Sequence, residues 1–269
     1  MLLAISLIPP AIMVGVLLYL GLRGFHVINW EFLAGFPRFA GQEGGILPAI
    51  IGSLYVTGIC LLVAVPIGVG AAIYLAEYAP DNLPTRIVRF FIACLAGMPS
   101  IVIGLFGYTF LVHELKLGFS VLAGGLALAF MILPWTVVAS EESIKAVPKE
   151  FKDAGLALGA TKWQTIRDIT IRTAMPGIIT GILLGFGKAV GETAVVLFTA
   201  GMGVGAFLPL SPFDPARTLP VHLYILATQS NTSAGFDRAY GTALILLTFF
   251  MLSSITALLV RRKLLRWVR

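Results

Sequence analysis

Five stretches of this chain, residues 1–22, 46–76, 90–112, 117–140 and 239–260, contain no Asp, Glu, Lys or Arg. A sixth, 173–205, is interrupted only by Lys188 and Glu192. Each run is as long as the roughly 20 apolar residues that carry an α-helix across the hydrocarbon core of a bilayer. In lipid the backbone polar groups must be paired within the chain, which leaves helices or closed barrels, and the alternating pattern of barrel strands is absent. The sequence therefore predicts an all-α polytopic membrane protein with six transmembrane helices, at about 2–22, 46–76, 90–112, 118–140, 174–201 and 239–260, in one transmembrane domain of residues 1–269. Charged residues make up 12% of the chain, half the share of about 25% in soluble domains, so a water-soluble globule is excluded. The first run lacks a basic start and a small-residue cleavage site, and is read as a retained helix rather than a signal peptide.

Lys and Arg set the orientation. With six spans, the N-terminus, the 77–89 loop, the 140–175 loop and the C-terminus share a side that holds 13 of the 19 basic residues. That side is cytoplasmic, and both termini lie there. The formal net charge of +6 falls entirely on it, because basic and acidic residues balance in the external loops. Part of the excess is the tail 261–269, a stop-transfer flank facing anionic lipid. The basic character thus reflects the lipid bilayer as partner, with no nucleic acid implied.

The chain has no Gly-x-x-x-x-Gly-Lys-Ser/Thr loop to cradle nucleotide phosphates and no Gly-x-Ser-x-Gly elbow. Cys60, Cys94, His26, His113 and His222 are scattered, without the spacing of a metal site. No catalytic residue and no cofactor or metal of its own is expected. Energy for active transport must come from a partner or an ion gradient.

The loop 141–173 is amphipathic. Pro148 suits a first helical position, and Glu150 and Asp153 suit the positive end of a helix dipole. Phe151, Ala154 and Leu158 share one stripe, and Gly159 is a natural helix stop. A second helix is expected near Thr161 as N-cap, with Trp163 and Ile166 on one face. Charges of both signs alternate along the loop, which is poor for adhesion to anionic lipid. The small residues Ala154, Gly155, Ala157 and Gly159 permit close insertion into a protein groove, so a docking element is preferred over a hairpin lying on headgroups.

This segment resembles the EAA loop of ATP-binding-cassette (ABC) importer permeases, whose pattern is Glu-Ala-Ala-x3-Gly-x9-Ile-x-Leu-Pro. It falls here as Asp153-Ala154-Gly155, Gly159 and Ile169-x-Ile171-Arg172, with Asp for Glu, Gly for the second Ala, Ile for Leu and Arg172 for Pro. Further stretches are similar to the PstA-type permeases of phosphate importers: Ala72-Ile73-Tyr74-Leu75-Ala76-Glu77-Tyr78, Met98-Pro99-Ser100-Ile101-Val102-Ile103-Gly104, Gly191-Glu192-Thr193-Ala194 and Leu219-Pro220-Val221. The PstC-type sister permeases share some of them. The resemblance implies the type I importer (MetI-like) fold in a bacterial or archaeal plasma membrane. It implies a homologous PstC-like permease as partner, two PstB-like ATPase subunits binding ATP and Mg, and an external PstS-like phosphate-binding protein. Asp153, Ala154, Gly155, Leu156, Leu158 and Gly159 would then form the ATPase-coupling loop, and the chain itself would not be an enzyme.

Lys188 and Glu192 lie four apart, and on a continuous helix they share a face. A charge at bilayer depth costs roughly 2.5–3.5 kcal/mol on insertion scales, so pairing or water access is required. One reading is a mutual ion pair that neutralises the span. The other places both on the translocation path, with cationic Lys188 attracting phosphate and Glu192 limiting its affinity or accepting a hydrogen bond from it. The resembling permeases usually carry Arg at the Lys188 position, and lysine gives up the bidentate geometry, which suits weak binding during passage. Thr193 adjoins the pair, and Pro99 frees a carbonyl beside Ser100, adding both hydroxyls to the candidate pathway. Gly177, Gly181 and Gly185, spaced by four, predict close helix packing inside the bundle, against a partner permease. Permeases for molybdate or sulfate, an ion-coupled carrier or channel, and a membrane scaffold are the alternatives. A carrier predicts carboxylates deep in several spans, and a scaffold leaves the docking loop unexplained.

Overall fold

The computed structural model describes residues 2–201 and 208–268, apart from the side chains of 2–5, 257, 260, 261 and 263–268. The side chains of the basic tail at 261–269, apart from that of Arg262, therefore lie outside the described residues, as does the end of the 173–205 run.

Helix α1 (Leu2–Gly24) leads to a 3-10 turn and short α2 (Trp30–Ala34), whose N-terminus is capped by the Asn29 side chain accepting from the Phe32 N–H at 2.7 Å. A small antiparallel hairpin, β1 (Pro37–Arg38) and β2 (Glu43–Gly44), pairs Pro37 with Gly44. Then come α3 (Leu47–Ile73), prolonged by a π-turn at Tyr74–Tyr78, α4 (Leu83–Ala96) and α5 (Ser100–Gly107), itself prolonged by a π-turn to Glu114. Helix α6 (Val121–Lys145) is followed by α7 (Lys149–Ala157) and α8 (Lys162–Thr165), which runs through a π-turn into α9 (Ile171–Val190). The order ends with α10 (Ala194–Thr199), α11 (Leu219–Gln229) and α12 (Ser233–Val268). Five helical segments are long and apolar enough to cross a bilayer, and the bent pair α4–α5 makes a sixth.

The core lies between α3, α6 and α10, where Val56, Cys60 and Ala64 meet Leu128, Ile132 and Val195. Small residues let the axes approach: Gly125 sits against Ile59, Gly68 against Thr136 and Gly124 against Ala200. The stripe on α9 follows the same rule. Gly177 faces Ser143, Gly181 faces Ala139 and Gly185 faces Thr136, so the stripe packs on α6 of the same chain and not on a partner permease.

Two spans depart from the expected single helices. The run 90–112 starts earlier, at Leu83 behind an Asn82 cap, and bends by 100° between α4 and α5. Pro99 has no N–H to continue the ladder and disfavours helical backbone at Met98, so the bend falls there. The run 174–201 breaks at Gly191-Glu192-Thr193. Here the Glu192 carboxylate accepts from the Ala194 N–H at 3.1 Å and competes with the helical ladder. The last helix, expected at 239–260, begins at Ser233.

At one end of the bundle, Arg238 donates to the Gly44 carbonyl, the Thr232 hydroxyl donates to Gln42 Oε1 at 3.0 Å, and Ser53 Oγ accepts from the Leu219 N–H at 2.8 Å. The other end gathers Tyr74–Tyr78, the start of α4, the end of α6, α7 and α8. By the distribution of Lys and Arg the second is the inner end and the first the outer.

Candidate functional site

The two helix breaks lie at one level. Gly104 of α5 rests against Ala194, Val195 and Phe198 of α10, and Gly107 rests one turn on against Thr199. The two helices thus run parallel and start at the same end, α5 at Ser100 and α10 at Ala194, directly after Glu192 and Thr193. Ser100, Glu192 and Thr193 are each half-buried, whereas Lys188 is exposed on the last turn of α9.

Lys188 and Glu192 do not pair. Helix α9 ends at Val190, so Glu192 leaves the face that a continuous helix would have given it. Its Oε1 accepts from the N–H groups of Ala194 at 3.1 Å and Val195 at 3.5 Å. The Lys188 ammonium instead lies 4.5 Å from the centre of the Trp135 ring on α6. Among the described residues no carboxylate forms an ion pair with Lys188. The cation is met by a ring face, a contact worth about 0.5–2 kcal/mol that depends on desolvation. Trp135 carries no signal of this role in the sequence. The glycine stripe creates the contact, because seating Gly181 on Ala139 and Gly185 on Thr136 brings the next turn of α9 to Trp135.

The second candidate, at the inner end, is the docking loop. Pro148, expected at the first helical position, is instead the N-cap with extended backbone, and α7 starts one residue later at Lys149. Gly159 ends the turn after α7 at φ +86°, a conformation that favours glycine. Thr161 caps α8 in a reciprocal capping box with Gln164. The outward face of α7 carries Phe151, Asp153, Ala154 and Leu156, all exposed, and Leu158 follows at 90% exposure. Gly155 alone is buried, and a Cβ there would come within 2.6 Å of Ile169 Cδ1. Glycine in place of the second alanine of the EAA pattern is thus fitted to Ile169. Arg172, where the pattern has proline, keeps an N–H in the ladder, and the helix runs unbroken from Lys162 to Val190.

Buried charge surrounds this loop. Glu141 accepts at one oxygen from Arg89 Nε at 2.9 Å and Lys145 Nζ at 2.6 Å, and a second Arg89 nitrogen donates to the Leu75 carbonyl at 2.9 Å. Lys152 pairs with Glu77 at 2.5 Å, and the Lys162 ammonium lies 4.4 Å from the centre of the Tyr78 ring. The hydrogen bond and charge of Arg86 hold the Asp81 carboxyl below the ordinary carboxylate range. The Arg89–Glu141, Lys152–Glu77 and Lys162–Tyr78 contacts join residues that only the fold brings together, whereas Lys145–Glu141 is an i,i+4 pair on α6 and Arg86–Asp81 spans five residues. At the outer end, His222 is 1% exposed under Gly41, with Nδ1 3.2 Å from an Arg217 nitrogen. Burial, aided by the charges of Arg217 and Arg238, lowers its pKa to about 3. Among the described residues no cluster of His, Cys, Asp and Glu could hold a metal.

Residues 64–269 match the family described as "Binding-protein-dependent transport system inner membrane component". The phosphate transport system permease protein PstA of Haemophilus influenzae is 36% identical, with 90% of this chain and 84% of that protein covered. The phosphate transport system permease protein PstA 1 of Mycobacterium tuberculosis is 38% identical, with 81% and 71% covered. In three dimensions the chain superposes on a chain from the crystal structure of a bacterial ABC transporter involved in import of the acidic polysaccharide alginate. That match has a TM-score of 0.69 at 17% identity and covers 97% of this chain and 95% of the other.

Proposed function

Because the chain belongs to the binding-protein-dependent transport system inner membrane components and is a multi-pass ABC importer permease, we propose that its cargo is inorganic phosphate and that Lys188 meets it at the level of the two helix breaks. The observation that carries this reading is the unpaired state of Lys188. An ammonium held by a ring face, with the neighbouring carboxylate committed to backbone N–H groups, keeps its charge available to an anion. The names of the PstA relatives support phosphate as that anion. Ser100 and Thr193, at the start of α5 and just before α10, supply hydroxyls at this level, and Pro99 and Glu192 fix the respective breaks beside them.

In this reading Lys188 faces a homologous, PstC-like permease that completes the pathway. Energy comes from two PstB-like ATPase subunits, which hold ATP and Mg. The coupling surface is Asp153, Ala154, Leu156 and Leu158, with Gly155 and Gly159 shaping it. A PstS-like binding protein delivers phosphate at the outer end, and the assembly sits in a bacterial or archaeal plasma membrane.

Vesicles carrying the full complex test both assignments. Lys188→Gln is expected to lower phosphate uptake by at least about tenfold, as loss of a charge-assisted contact implies, while leaving ATPase co-purification intact. Normal uptake by Lys188→Gln overturns the pathway assignment, and equal uptake of sulfate or molybdate by the unaltered complex overturns phosphate. Asp153→Lys is expected to reduce ATPase co-purification and uptake together, and no change in either overturns the docking role.

A further inference from the structure

The π-turn Tyr74–Tyr78 closes α3, the helix that reaches the outer end, where Gly52 lies against the Arg217 carbonyl and Ser53 accepts from Leu219. Two lysines converge on consecutive residues of this turn from opposite sides of the Gly159 bend. Lys152 on α7 pairs with Glu77, with side chains 21% and 10% exposed, and Lys162 on α8 places its ammonium over the Tyr78 ring. Arg89 holds the same turn from a third direction, at the Leu75 carbonyl, and is itself fixed by Glu141.

We infer that Lys152 and Lys162 are positioning residues that form a two-point grip on the Glu77-Tyr78 turn, and that this grip passes movement of the docking helix to α3. The outward face of α7 is exposed and its inward face touches Ile169 through Gly155, so packing ties α7 to the α8–α9 rod. The grip is the contact that ties it to α3 as well. A largely buried ion pair is suited to such a link, because separating its partners leaves uncompensated charge in a poorly hydrated site. Displacement of α7 therefore draws the turn with it rather than slipping past. A π-turn suits the receiving end, since its looser i→i+5 bonding lets the last residues of a helix shift against the rest.

The inference rests on the reading of α7 as the ATPase-docking helix, and the experiment separates the two. In the reconstituted full complex, Lys152→Glu and Glu77→Lys are each expected to lower phosphate uptake per ATP hydrolysed by at least about tenfold, with ATPase subunits still co-purified. The double reversal is expected to recover most of the loss. Lys162→Met, which keeps the stem and removes the charge, is expected to lower the same ratio by about two- to fivefold. Unaltered complexes without co-purified ATPase overturn the docking reading itself. With ATPase present, single reversals and Lys162→Met that couple normally overturn the grip, as does a double reversal no better than either single one.

Discussion

The two ends of the bundle are fastened by different chemistry. At the inner end the ties are charges: Arg89 and Lys145 on Glu141, Lys152 on Glu77, Arg86 on Asp81. At the outer end they are hydrogen bonds rather than close ion pairs: Ser53 and Arg238 meet backbone at the Leu219 N–H and the Gly44 carbonyl, Thr232 meets the Gln42 side chain, and His222 is kept uncharged beneath Gly41. Ion pairs between separate elements hold at a range of side-chain positions, whereas a hydrogen bond to backbone demands one geometry. The inner end is therefore built to stay joined while its parts move, and the outer end to keep a shape.

The largest effect that tests this contrast is expected from Glu141→Ala. It leaves Arg89 and Lys145 facing each other, and the stability of the solubilised chain is expected to fall by about 2–3 kcal/mol, discounted from a fully buried pair because both cations are partly exposed. An unchanged unfolding midpoint removes the claim that charge fastens the inner end.

Acid reaches the outer end first. His222 has a folded pKa of about 3 against an ordinary 6.5, so below pH 6.5 the unfolded chain binds a proton that the folded chain refuses. Stability is complete above 6.5 and is lost as pH falls toward 3, by about 2 kcal/mol at pH 5. Asp81, held below the ordinary carboxylate range by Arg86, is ionised at pH 5 as at pH 7 and adds nothing to that difference. Thermal unfolding at pH 7 and pH 5 measures this, and a His222→Asn variant with the same pH dependence breaks the assignment. The smallest effect is that of salt. Concentrations near 1 M, where screening acts within about 3 Å, should weaken exposed pairs such as Arg86–Asp81 slightly and leave the outer hydrogen bonds unchanged. Amide exchange resolved by region would detect salt weakening the outer end more than the inner, which is the reverse of the expectation.

Long-range features of this architecture were readable to the extent that they depend on local sequence. Apolar runs placed α1, α3 and α6 to within about five residues, because burial in lipid is dictated residue by residue, whereas α12 starts at Ser233 and runs to Val268, beyond both ends of the apolar stretch 239–260. Pro99 marked a freed carbonyl and Thr161 a cap, because each acts on its own backbone. The Gly191–Thr193 break is not legible, since a carboxylate folding back on the Ala194 N–H looks no different in sequence from one that acts as a buried charge. The glycine stripe announced a close neighbour but could not say which, and α6 of the same chain took the place expected for a partner. Trp135, Glu77 and Glu141 act through residues far away in the chain, which only the fold brings to them.

Arg172 in place of proline has one more consequence. Lys162, at the docking end, and Lys188, at the helix breaks, stand on one continuous helix that takes in the π-turn Ile166–Thr170 and Pro176, about 39 Å apart at 1.5 Å per residue. On the proposed function, an anion at Lys188 and an ATPase docked on α7 are coupled to the extent that both bias the same movement of this helix. Whatever factor nucleotide binding below imposes on the affinity for an anion at Lys188, the anion must impose on nucleotide affinity in return. On the proposed function, cargo at the breaks would thereby report the motor's state, and the motor would report cargo.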